Sequence, residues 1–146
     1  EKNLLMNKWY PIETAYINPT RKIIKLFYEN NIKKGAKEIG RFSADYSLKG
    51  IYKLFIKFVT PEKIIKRASR MLGTYFKPCE IKAKILDDKK ISINIIKFDS
   101  WNEIVEFRIL GWAKRALELA GYENAELEVS KSLRNGNNST NIIINW

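Results

Sequence analysis

Two groups of side chains in this chain have the chemistry to hold a ligand. One is aromatic and apolar: Tyr52, Phe55, Met71, Tyr75, Phe107 and Trp112. They come from three separate segments, and a pocket formed where those segments meet would accept a flat or apolar molecule. The other is cationic. Arg41, Arg67 and Arg70 belong near the mouth of such a pocket, where a guanidinium offers a planar fork to a carboxylate or phosphate. With Lys37, Lys63 and Lys66 they make a candidate anion-binding face. Each group also has a plainer reading. The aromatics then fill a core without a void, and the cations clothe a solvated amphipathic helix.

Covalent and metal chemistry finds little support. The chain contains no histidine. That excludes a histidine general base, a Ser-His-Asp triad and any histidine-ligated heme or zinc within it. Glu103 and Glu106 are too close in turn position to act as an acid/base pair. There is no nucleophile-base pair, no glycine-rich phosphate loop and no metal-ligand spacing. Cys79 is the single cysteine and follows Pro78 at the start of a strand. It reads as a buried, inert thiol, and a lone cysteine fits a reducing cytoplasm. No cofactor is expected, and neither is enzymatic activity.

The net charge is +11, and it is unevenly placed. Residues 1–78 carry 17 Lys and Arg against 6 acids, whereas residues 79–146 carry 10 of each. The basic first half favours anionic partners, nucleic acid among them. No nucleic-acid motif or aromatic-interleaved stacking platform accompanies it, so the charge also reads simply as a lysine-rich solvated surface.

A length of 146 residues suggests one domain, and a 45% apolar content is enough for a real core. No apolar run is long enough to span a membrane, and no signal peptide is visible. The chain opens at Glu1 without a methionine, as a trimmed chain or a piece of a longer protein would.

The elements that would position these side chains are organised around Asp99 to Gly121. Ile104, Phe107, Leu110, Gly111, Leu117 and Ala120 share a broad helical stripe. Asp99 or Ser100 caps the first turn, with Glu103 at capping-box spacing from Ser100, and Gly121 ends the helix. Gly111 lies inside, where glycine costs about 1 kcal/mol relative to alanine. Its presence predicts close packing on another backbone, read here as a sheet lying across the helix.

Before this helix, Pro11 to Ile17 reads as a short helix. Asn18 then caps a new one from Pro19 to about Asn30, with Ile23, Ile24, Phe27 and Tyr28 on its apolar side. Asn30 to Gly35 is a polar break. A helix over Ala36 to Leu48 would bury Ile39, Phe42 and Tyr46, with Gly40 allowing close approach. Ile51 to Val59 is read as helix, with Tyr52, Phe55 and Ile56 inward. Thr60 and Pro61 start another helix that runs through Ile64, Ile65, Ala68 and Leu72 to about Phe76. After Pro78 the period becomes two. Ile81, Ala83 and Ile85 alternate with lysines, Asp87 to Lys90 turns, and Ile91, Ile93 and Ile95 return as a hairpin. Ala125, Leu127 and Val129, a turn at Asn135-Gly136, and Ile142, Ile144 and Trp146 make a second hairpin. The result is an α+β domain: helices packed on a four-stranded antiparallel sheet of two hairpins joined by a long helix.

Gly111-Trp112, then Leu117, Leu119 and Ala120-Gly121, are followed by an alternating strand, a turn at Gly136 and a last strand ending Ile-Asn-Trp. This pattern resembles the C-terminal half of 4-vinyl-reductase-type domains and their bacterial relatives of unknown function. Gly40-Arg41-Phe42-Ser43-Ala44 and Thr60-Pro61-Glu62 resemble the same relatives. The resemblance implies a fold similar to TRAPP-complex subunits and heme nitric-oxide-binding domains, which are sensors or assembly adaptors that often pair through helices. Two departures bear on function. The cysteines often found in the last hairpin of vinyl-reductase-type domains are missing from Ser130 to Thr140, and the proximal histidine of the heme sensors has no counterpart. Metal binding and heme sensing are therefore not carried over. The expectation is a non-catalytic cytoplasmic sensor or adaptor that binds a small apolar or aromatic ligand or a partner protein. It would act as a homodimer through helices from residues 10 to 58. The alternative is a nucleic-acid-binding module using the basic helical first half.

Overall fold

The computed structural model describes residues 8–48 and 59–146. Among them, four helices accompany a four-stranded antiparallel sheet, so the fold is α+β as expected. Helix α1, Asn18–Phe27, continues without a break from a π-helical turn over Glu13–Ile17. The other helices are α2, Ile32–Ser47; α3, Pro61–Tyr75; and α4, Glu103–Leu119. The strands are β1, Cys79–Asp87; β2, Lys90–Phe98; β3, Glu126–Lys131; and β4, Thr140–Asn145.

Both hairpins form where the alternation places them. At the first turn, the Lys89 amide donates to Asp87 Oδ1 at 3.0 Å. The second connection is longer, with a 3₁₀ turn over Leu133–Asn135 closed by Gly136 at φ +80°. The hairpins join through β2 and β4, from Lys90 opposite Asn145 to Ile95 opposite Thr140. The strand order is therefore β1-β2-β4-β3. Ile91, Ile93, Ile95, Ile142 and Ile144 are buried on these central strands and share one core with Val105, Ile109 and Leu110 of α4.

The close approach expected at Gly111 exists, but its partner is a helix rather than the sheet. A Cβ on Gly111 would sit 2.2 Å from the Lys37 carbonyl oxygen of α2, and one on Gly40 would sit 2.1 Å from the Arg108 carbonyl oxygen of α4. The two glycines let the helices cross backbone to backbone. This crossing also decides which face of α2 is buried. Ala36, Gly40 and Ala44 face inward, while Phe42 and Tyr46 are exposed, against expectation. A crossing this tight has no room for rings. On α1, Ile24 is buried and Tyr28 half-buried, but Ile23 and Phe27 are exposed.

Several boundaries differ from the expected ones for local reasons. Asn18 is helical rather than a cap, at φ −63° and ψ −44°. Its amide bonds to Glu13 O, five residues back, and this wide turn lets the chain pass Pro19 without a break. Asn31 caps α2 by accepting from the Lys34 amide at 3.0 Å, so the helix begins four residues earlier than its glycine suggested. α4 is capped by Asn102, which accepts from the Val105 amide at 3.1 Å, rather than by Asp99 or Ser100. Gly121 follows α4 at φ +95°, as a left-handed cap requires.

Candidate ligand-binding cavity

Three polar clusters lie where the helices meet one another and the sheet turns. The first joins α2 to α4. Arg41 grips Glu118 with two hydrogen bonds of 2.9 Å each, and Arg115 bridges Asp45 at 2.8 Å and Glu118 at 3.2 Å. The hydrogen bond from Arg41 is the main cause that holds the Glu118 carboxyl below its ordinary range. The second cluster is deeper. Glu106 is fully buried and accepts from Trp101 Nε1 at 3.1 Å and from the Ser132 hydroxyl. Arg134 Nε lies 2.9 Å from Glu106 Oε1, close enough for an ion pair but off the axis of a hydrogen bond. In both clusters, acid meets base.

The third cluster has a cation and no acid. Arg108 of α4 lies over the Tyr16 ring, its guanidinium carbon 3.9 Å from the ring centroid. Its Nη1 donates to Thr20 Oγ1 at 2.7 Å, and its Nη2 to Ser43 Oγ at a long 3.4 Å. Nε is buried without an acceptor. Burial presses the Arg108 pKa down from its ordinary value and raises that of the Tyr16 phenol. Among the described residues, no carboxylate forms an ion pair with Arg108.

Arg108 and Tyr16 border a cavity of about 500 Å³. Its floor is the sheet, through Ile93, Ile95, Ile142 and Ile144; α2, α3, α4 and the segment before α1 supply the rest of the lining. Exposed Trp9, Lys77 and Asp99 also border it, with Lys77 Nζ 4.6 Å from the centre of the Trp9 ring. The Ser69 hydroxyl is a second buried polar atom on the cavity lining without a partner.

The residues singled out in the sequence are divided by this geometry. Met71, Tyr75 and Trp112 line the cavity. Phe107 does not: it is buried elsewhere, with Lys33, Lys37 and Arg134 cations 6.0, 5.7 and 5.3 Å from its ring centre. Tyr52 and Phe55 fall outside the described residues. Arg41 is occupied by Glu118 and does not line the cavity. Arg67 and Arg70 are exposed on α3, also off the lining. The place expected for them at the pocket belongs to Arg108. The sequence does carry a signal for this residue. Arg108 falls four residues after Ile104 and three before Gly111, a charge on the apolar stripe of the central helix.

Cys79 is half-buried, and burial pushes its thiol up to about 11, away from the thiolate that reactive chemistry needs. Among the described residues, no group of three His, Cys, Asp or Glu side chains is placed to hold a metal ion. No helix there is long and apolar enough to cross a membrane. No protein-family model matches the chain and no curated protein matches its sequence.

Proposed function

We propose that this is a non-catalytic sensor or adaptor domain of the cytoplasm that binds a small apolar ligand. The observation that carries this reading is the cavity of about 500 Å³ between the sheet and three helices. Ligand sites of this kind run from roughly 300 to 1,000 Å³, with mostly apolar walls and a few polar groups that fix orientation. This cavity has isoleucine, methionine and aromatic walls, with Arg108, Tyr16, Ser43, Ser47 and Ser69 among its polar groups. Kinship with the vinyl-reductase-type domains, resting on the motifs quoted above, belongs to the same proposal.

The competing reading is a nucleic-acid module. It draws on the basic first half and on Lys63, Lys66, Arg67 and Arg70, all exposed on α3. Salt separates the two. Binding of decanol, followed by tryptophan fluorescence, is expected to change little between low and high salt. Binding to DNA or RNA through phosphate contacts would weaken steeply as counterions compete. Tight, salt-sensitive nucleic-acid binding with no response to decanol would overturn the proposal.

A further inference from the structure

Among the described residues, Arg108 is the cavity's inner cation, and it narrows the class of ligand. Its hydrogen-bond partners are neutral. The Thr20 hydroxyl donates to the Tyr16 carbonyl at 2.6 Å and the Ser43 hydroxyl to the Ile39 carbonyl at 2.9 Å. Both oxygens therefore serve Arg108 only as acceptors, and neither brings a charge. A partly buried cation without a counter-charge is costly. Every other buried or half-buried ionic cluster described above contains its own carboxylate.

The guanidinium also has hydrogen-bonding capacity left over. Nη1 is well held by Thr20, whereas Nη2 has only the 3.4 Å contact and Nε has none. Nε–H and Nη2–H point the same way and form one edge of the fork that matches the two oxygens of a carboxylate.

We infer that the cavity takes an amphiphile with a single carboxylate head, seated against the guanidinium of Arg108, and an apolar tail over the isoleucine floor. The inference rests on the cavity reading above. The carboxylate replaces the long Ser43 contact at Nη2 and supplies the missing charge. One guanidinium balances one negative charge; a phosphate dianion would leave a second charge unpaired among isoleucines. Lys77 does not serve this role, because it is exposed beside Trp9. The tail lies along Ile93, Ile95, Ile109 and Ile142, all on the cavity lining.

The test titrates the whole domain with decanoate and with decanol at neutral pH, again by tryptophan fluorescence, since Trp9 and Trp112 border the cavity. Decanoate is expected to bind about tenfold or more tighter than decanol, the worth of a charge-assisted hydrogen bond. Arg108→Met is expected to erase that preference, bringing the two affinities together. The variant should fold without a loss of melting temperature, because Thr20 and Ser43 keep their backbone bonds. The wild-type comparison stands even if the variant does not fold. Equal affinities for the two ligands in the wild type, or a preference that survives Arg108→Met, would overturn the carboxylate inference and leave the cavity reading intact. Failure of both ligands to bind would overturn the two together.

Discussion

Glu106 and Arg108, two residues apart on α4, show opposite ways of burying charge. Glu106 meets two hydrogen-bond donors, Trp101 and Ser132, and a counter-charge, Arg134, within the fold. It ties the central helix to the 3₁₀ turn between β3 and β4. Glu106→Ala leaves the Trp101 indole N–H and the Ser132 hydroxyl unpaired in the interior. A loss of about 3 kcal/mol is expected, read as a lower urea midpoint, with a milder loss for Glu106→Gln, which keeps an acceptor. Arg108 is left incomplete on the cavity side. The sequence places both residues on the central helix but does not say which finds a partner. The partners of Glu106 lie 5 to 28 residues away, and those of Arg108 lie 65 and 88 residues before it. Only the tertiary fold brings these sets together.

At the scale of elements, the α2–α4 crossing governs the helical layer. Gly40 and Gly111 are reciprocal, each giving room to the other helix's backbone. Gly111→Leu must push α2 away, since the atom in its path is a carbonyl oxygen rather than a flexible side chain. A loss of about 3 kcal/mol by overpacking is expected, and an unchanged melting temperature would contradict the crossing. This element shows what sequence can and cannot reveal. A glycine inside a strong helical pattern announces a close approach but does not name the other surface. The same limit affected Phe42 and Tyr46. Periodicity placed them on one face of α2, and hydrophobicity suggested that the face was inward. The crossing instead selected the alanine and glycine stripe and turned the rings out. The hairpins were more legible because a period of two has only one buried face. How they join, β2 to β4, lies in a pairing that alternation leaves open.

For the whole molecule, the outward faces of α1 and α2 carry large exposed apolar side chains beside their charges. Leu26, Phe27, Phe42 and Tyr46 are each at least 65% exposed. These residues lie in the region, 10 to 58, where the sequence suggested a two-fold helical interface, with the same patch used on both subunits. Sedimentation of the wild type is expected to show a dimer at micromolar concentration. Phe27→Glu combined with Phe42→Glu is expected to give a monomer with unchanged secondary structure. A wild type that stays monomeric at high micromolar concentration would remove the dimer.

If the space between sheet and helices is a ligand site rather than a packing gap, filling it must abolish binding. Ala113 of α4 lines the cavity, so Ala113→Phe places a ring inside it. The measurement is decanol affinity by tryptophan fluorescence in this variant against the wild type, with melting temperature followed in parallel. Saturable binding is expected in the wild type and none in Ala113→Phe, with the variant at least as stable because the ring occupies an existing void. A wild type that does not bind decanol, or a folded Ala113→Phe that binds it equally well, would show that the space is not a ligand site.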